Sequence, residues 1–294
     1  MIHSWLDGAR TSPLDTIDRE DHGAGDALGG GVAPRIPRGF WFGEAVYETL
    51  LVRRGATRLP ALWRLHRARF AEGAGRFQLP WPGDDALDRQ LLTALTQLPH
   101  TDDADWWRVR LTLAATGPDA PMLAPDAASL WIDARPAVMR IRPAARMAIG
   151  PKLRNPDDPL ARTKRVTLAS DLAAVRRAVA AGWDDVILLD VAGCISEAST
   201  SALVFGFEDG TLGSPGFETA ALPSTTLQLL RDAGHRVRPL QLRPEALGTV
   251  RWAAALNAVQ GARPVCAIDR FELAAPPDSF VANVRALVDG QRNA

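Results

Sequence analysis

Lysine is almost missing from this chain: Lys152 and Lys164 are its only two, and every other one of its 34 basic residues is arginine. Arginine stays protonated and forms no imine, whereas a buried lysine gives up its proton readily. Covalent chemistry that needs an amine therefore has two candidates. Cysteine is as scarce, with Cys194 and Cys266 alone, too few for a disulfide framework or a cysteine-based metal site, so both read as packed thiols. Neither sign of charge prevails among 34 basic and 34 acidic residues, which removes the electrostatic footprint that nucleic acid or an anionic membrane surface requires. No uncharged apolar run reaches the length of a bilayer, and residues 1–7 lack the basic-then-apolar pattern of a secretory leader. These absences predict a cytoplasmic protein with a small-molecule ligand, without nucleic acid, membrane or metal.

What remains is an ordinary folded composition, 47% hydrophobic and 23% charged over 294 residues, longer than one hydrophobic core usually serves. Pro136 and Pro143 bracket the best linker, which gives an N-terminal domain over 1–137, a linker over 138–143 and a second domain over 144–294. Alternating β-rich runs predict an edge strand at 2–6 and strands at 45–53, 108–113, 129–133, 145–149 and 185–190. The last turns at Ala192-Gly193 into a hairpin that ends at Glu197, and further strands follow at 203–207, 237–242 and 253–256. Helical spacing joins Leu62, Leu65, His66, Arg69 and Phe70, and predicts helices at 86–98, 226–233 and 279–288. Leu168, Leu172, Val175 and Val179 trace one more helical stripe that stops at Gly182. The fold class is mixed α/β in two domains. A glycine-rich stretch at 23–31 has no strand leading in and no Gly-Lys-Ser/Thr after it, so it reads as a surface loop.

Three places could hold chemistry. Lys164 lies between a proline-rich stretch and a helix, which would set it at the mouth of a sheet; a solvated lysine is the plain alternative. Glu197 ends a strand beside the small and hydroxyl residues 198–201. A carboxylate there could keep a heterocyclic nitrogen protonated and its ring electron-withdrawing, or could simply be solvated. Ser224, Thr225 and Thr226 precede a helix, with Thr225 and Gln228 spaced as a capping box. Such an end can bind phosphate, and capping alone would also explain the hydroxyls.

Taken in order, these pieces resemble a known family. Arg38-Gly39-Phe40-Trp41-Phe42-Gly43-Glu44-Ala45-Val46-Tyr47-Glu48-Thr49 is similar to the segment that opens the small domain of the fold-type-IV pyridoxal-phosphate enzymes, the class-IV aminotransferases and 4-amino-4-deoxychorismate lyases. His66-Arg67-Ala68-Arg69-Phe70 resembles the family's following His-x-x-Arg-Leu helix. Lys164, the hairpin ending at Glu197, residues 222–226 and residues 257–265 keep the family's order.

The resemblance implies a cofactor, pyridoxal 5'-phosphate, held in a cleft between two domains, usually in a homodimer. It implies that Lys164 bears the cofactor and moves the proton, that Glu197 contacts the pyridine nitrogen, and that Arg69 binds the phosphate. Ser224, Thr225 and Thr226 would form the phosphate cup, and Asn257 and Ala258 would line the phosphate side. Tyr47, Arg108 and Arg110 would face the substrate. Departures fall at Ala202 for a frequent Asn, Ser224 for Gly, Leu227 for Arg, and Thr116 near the place of a carboxylate-binding Arg. The strand over 108–113 and the segment over 257–267 look closest to the lyase branch, which eliminates pyruvate from aminodeoxychorismate to give 4-aminobenzoate for folate. Tyr47 in Val-Tyr-Glu leans toward a transaminase of branched-chain or D-amino acids or amines. A non-catalytic family member is the third reading.

Overall fold

The computed structural model describes residues 3–11, 37–99, 104–118 and 120–293; the glycine-rich stretch at 23–31 lies outside them. Two compact units divide the chain, the first formed by Met1–Leu59, Phe70–Val138 and Arg165–Thr167, the second by Pro60–Arg69, Met139–Lys164 and Leu168–Ala294. The mixed α/β class expected from the sequence is what the chain adopts.

The first unit is built on strands β1 (His3–Leu6), β2 (Ala9–Thr11), β3 (Ala45–Arg53), β4 (Trp106–Thr116) and β5 (Ala127–Ala137). They form one antiparallel sheet in the order β2-β1-β5-β4-β3. The expected edge strand is an interior one, because β1 pairs with β2 on one side and β5 on the other. Trp5, 1% exposed, anchors it in the core, a burial that an edge position would not provide. Strand alternation sends Val46, Glu48 and Leu50 inward and leaves Tyr47 and Thr49 half-exposed, as a two-residue period requires.

Helix α1 (Arg38–Phe42) opens the segment that the sequence singled out. Three of its motif residues have local structural work. Arg38 is buried and grips Glu44 through Nε–Oε2 at 2.6 Å and Nη2–Oε1 at 3.0 Å, and donates to the Leu123 carbonyl at 2.6 Å. A side chain at Gly39 would put a Cβ 2.9 Å from the Ala114 Cβ, so only glycine lets α1 lie this close to β4. Gly43 ends the helix at φ +67°, where a Cβ would also strike Thr167, in the left-handed region that glycine enters most easily.

Helix α2 (Trp63–Arg76) follows, then α3 (Asp84–Thr96), which buries Leu87, Leu91, Ala94 and Leu95 along one stripe.

The second unit carries strands β6 (Ala145–Arg154), β7 (Asp185–Asp190), β8 (Ile195–Ala198), β9 (Ala202–Gly206), β10 (Leu212–Pro215), β11 (Val237–Leu240), β12 (Trp252–Asn257), β13 (Gly261–Ile268) and β14 (Phe271–Glu272). Their order is β11-β10-β9-β12-β13-β6-β7-β8, with β14 on β13. The sheet mixes directions: β6 runs parallel to both β13 and β7. Its faces bury separate cores. Met147, Ile187, Leu203, Phe205 and Val265 fill one; Val204, Leu256 and Trp252 meet Leu227, Leu230, Phe280 and Val284 on the other, brought by helices α5 (Thr225–Asp232) and α6 (Asp278–Asn293).

Helix α4 (Ala169–Ala180) stands where the sequence put a helix, but it turns a different side inward. Leu172 and Val179 are 47% and 55% exposed, while Ala174 and Ala178 pack on Val186 and Leu188. Small side chains let the helix sit close to β7, with Val175 of the expected stripe packed beside them and Leu172 and Val179 left outward.

Candidate functional site

The hairpin of β7 and β8 turns at Gly193, φ +87°, and its register sets Glu197 across from Leu188. Arg154, the last residue of β6, donates from Nε to Glu197 Oε1 at 2.7 Å. Its two terminal nitrogens reach Asp171 Oδ1 and Oδ2 at 2.9 and 2.8 Å. One planar guanidinium thus bridges two carboxylates, the geometry for which arginine is better suited than lysine. Burial acts to lower the Arg154 pKa, but the hydrogen bond to Asp171 and the charges of Glu197 and Asp171 outweigh it, and the net shift is upward. The other oxygen of Glu197, Oε2, accepts the Leu222 amide at 3.0 Å. Neither Arg154 nor Asp171 was singled out in the sequence, and nothing local marks them.

From Leu222 the chain runs directly into α5. Ser224 is the cap, its Oγ accepting the Leu227 amide at 3.2 Å, so the expected box from Thr225 to Gln228 does not form. Thr225 already lies inside the first turn, and Gln228 reaches Asp232 at 2.7 Å instead. The first turn of α5 is left with open donors. Among the described residues the amides of Thr225 and Thr226 have no acceptor, and Thr226 Oγ1 is buried without a partner. Free amides at a helix N-terminus, where the helix dipole is positive, suit an anion. Arg69, on α2, donates from Nη1 to the Pro223 carbonyl at 2.6 Å, which brings a fixed positive charge to the same helix end.

Asn257 ends β12 and shapes the turn after it. Its Oδ1 accepts the amides of Val259 and Gln260 at 3.0 and 2.8 Å, and its Nδ2 donates to Ser201 Oγ at 2.9 Å. Ala258 is half-buried in that turn. Lys164 is half-buried at the end of a run of turns, beside Thr163, whose Oγ1 is buried without a partner. The residues just after it join the first unit, where Arg165 bridges to Val46 and the Val166 amide donates to Ala45 at 3.1 Å.

The first unit presents a different set. Register places Tyr47 opposite Thr112, Arg110 opposite Thr49 and Asp133, and Arg108 opposite Arg135. All share the half-exposed face of the sheet. The Arg110 guanidinium lies 3.9 Å from the centroid of the Tyr47 ring and donates to Thr112 Oγ1 at 3.3 Å. Burial lowers its pKa, opposed by Tyr47 and Asp133. Asp133 accepts from Ser4 Oγ at 2.6 Å. Arg135 is the residue that the sequence reading missed on this face; its place two along from Asp133 on an alternating strand was the available signal.

The second unit's donors fit pyridoxal phosphate. A buried unpartnered hydroxyl, two free amides and an arginine at one helix end match a phosphate dianion, a shielded carboxylate matches a protonated ring nitrogen, and Lys164 is one of two amines in the chain. Replacing Thr226 with valine, a near-isostere, tests the phosphate end. The cofactor-free protein should keep or raise its melting temperature, since a buried unpaired hydroxyl is removed, while affinity for pyridoxal phosphate should fall about tenfold. A fall in both would mean that the hydroxyl serves the fold instead.

Comparison with known proteins agrees. The profile of the family described as amino-transferase class IV matches residues 45–268. A search of curated proteins finds no match. Among solved structures, a hypothetical aminotransferase from Mycobacterium tuberculosis in its PLP-bound form superposes with a TM-score of 0.78 at 20% identity, covering 97% of this chain and 98% of that one. A Legionella pneumophila protein provisionally named 4-amino-4-deoxychorismate lyase gives 0.77 at 18% identity over 94% and 97%. A fold IV-transaminase from Curtobacterium pusillum gives 0.74 at 23% identity over 98% and 99%. At these identities the superpositions speak for the fold, and the profile, which spans most of the chain, speaks for the family. The chain belongs to the class IV amino-transferase family and is a pyridoxal-phosphate-dependent enzyme.

Proposed function

We propose that the enzyme acts as a 4-amino-4-deoxychorismate lyase, releasing pyruvate from aminodeoxychorismate and leaving 4-aminobenzoate. The observation that supports this most is the pair Arg108 and Arg110 on one face of β4, with Arg110 stacked on the chain's only tyrosine. The substrate carries two carboxylates, and two guanidiniums on one strand face suit them.

When bound, the cofactor supplies an electron-withdrawing ring that stabilises charge developing on the substrate next to its nitrogen. The chain's own residues do the rest. Lys164 Nζ would hold the cofactor and, when free, would take and return a proton. Glu197 would keep a proton at the ring nitrogen, and Arg154 and the Leu222 amide hold Glu197 in place for it. Arg69, Thr225 and Thr226 would bind the phosphate and so position the ring. Asn257 sets the turn that carries Ala258, which would line the phosphate side. Arg110 orients a carboxylate, and Arg110→Ala should raise the KM for the substrate about ten- to a hundredfold, the worth of a charge-assisted hydrogen bond, with a smaller change in kcat.

Transamination of an amino acid or amine is the second reading, favoured by Tyr47 standing half-exposed in Val-Tyr-Glu beside Arg110. Purified enzyme supplied with aminodeoxychorismate should form 4-aminobenzoate and pyruvate without an added 2-oxo acid. Turnover only with paired amino donors and 2-oxo acids would replace the lyase reading with the second. The family resemblance also carries a homodimer, and the cytoplasmic setting proposed with it rests on the sequence reading alone; no helix among the described residues is long and apolar enough to cross a membrane.

A further inference from the structure

Behind the turn that joins β12 to β13 lies a cavity of about 210 Å³ whose wall carries Arg140, Arg142, Arg263, Arg285 and Arg292 with a single carboxylate, Asp289. Three of the arginines are held in place. Arg292 is buried and donates to the carbonyls of Ala258 and Val259 at 2.6 and 2.8 Å and to Asp289 at 2.6 Å. Arg285 donates to the Ala262 carbonyl at 3.3 Å. Arg263 donates to the Pro143 carbonyl at 2.9 Å and pairs with Asp184 at 3.2 Å. Arg140 and Arg142, on the stretch leading into β6, have no carboxylate within 4 Å among the described residues.

Like charges gathered around a concave surface repel one another, and a chain with as many acidic as basic residues has carboxylates enough to neutralise them. Here five guanidiniums meet two carboxylates, Asp289 and, behind Arg263, Asp184. A field of one sign focused in a cavity concentrates the opposite ion. The space is smaller than the roughly 300 Å³ at which pockets for drug-sized ligands begin, so the counter-ion must be compact.

We propose that this cavity binds a compact phosphate-class polyanion, for which pyrophosphate is the simplest probe, at a site separate from the cofactor's phosphate cup. Arginine's forked donors match tetrahedral oxyanions. The site also has a route to the chemistry: Arg292 holds the carbonyls of the turn whose first residues, Asn257 and Ala258, line the phosphate side. An anion drawing on Arg292 would change its grip on that turn. This second clause rests on the proposed cofactor contacts; the binding itself does not.

Titration calorimetry of pyrophosphate into the cofactor-loaded full chain tests it, with sodium chloride at matched ionic strength as control. Saturable binding at one per chain is expected, weakened about tenfold for each guanidinium lost in Arg140→Ala and Arg142→Ala. Both side chains are exposed and leave the fold alone. Absence of saturable heat, equal affinity in the double variant, or an equal response to chloride overturns the site. The visible absorbance of the cofactor, recorded on the same samples, separates the two readings. A missing band counts against the cofactor contacts, and a present band without pyrophosphate heat counts against the cavity. Faster or slower cofactor loss on gel filtration with pyrophosphate present supports the coupling, and an unchanged rate overturns it.

Discussion

Lys164→Ala should lower turnover by about a thousandfold or more, since in the proposed mechanism it removes both the attachment point and the group that moves the proton. The fold should survive, because Lys164 lies outside the helices and strands and belongs to none of the hydrophobic cores of its unit. Borohydride treatment should fix the cofactor on the wild-type chain, with the added mass on the peptide that contains Lys164, and should fix none on the variant. Lys152 is the internal control, being exposed on β6 with its side chain near Gly193. Lys152→Ala should retain full activity and labelling. Cofactor fixed at Lys152 in the wild type would overturn the assignment.

Arg154→Met should cost about 2–4 kcal/mol of stability, because it strands two carboxylates at once. Their side chains are 15% and 13% exposed at Asp171 and Glu197, and breaking a largely buried ion pair from one side leaves a charge without compensation. Arg154→Lys should recover only part of the loss, since an ammonium cannot fork between two carboxylates in fixed geometry. Adding Asp171→Asn and Glu197→Gln to Arg154→Met should restore much of the stability while leaving the enzyme inactive. Urea denaturation with unchanged m-values would read the stability change cleanly. A loss below about 0.5 kcal/mol, the range of ordinary surface substitutions, would show that the bridge is a minor support.

The parts of this protein legible in its sequence were those that local chemistry determines. Alternation marked β3 at its observed bounds, Ala45–Arg53, and the Gly193 turn marked the hairpin that carries Glu197. Side-chain partnership over long separations was not legible. Arg154 and Glu197 are 43 residues apart, and the parallel pairing of β6 with β7, extended by the β7–β8 hairpin, brings them together. Near misses came from choosing among adjacent residues of similar chemistry: Ser224 caps α5 where Thr225 was expected, a shift of one position. On α4 the larger apolar stripe drew attention, yet close packing on β7 selected alanines. Arginine-rich character was visible from the outset, but its concentration behind the β12–β13 turn depends on residues 140–142, 263 and 285–292 converging in space.

The backbone between Leu222 and Thr226 touches Glu197 at one end and carries the open amides of α5 at the other, so its length acts as a gauge. On the proposed contacts, a ligand with its charged nitrogen and its phosphate farther apart or closer together than the vitamin-derived cofactor could not satisfy both ends at once. Lengthening this stretch by a single residue would alter which molecules the unit accepts without touching any side chain that does chemistry.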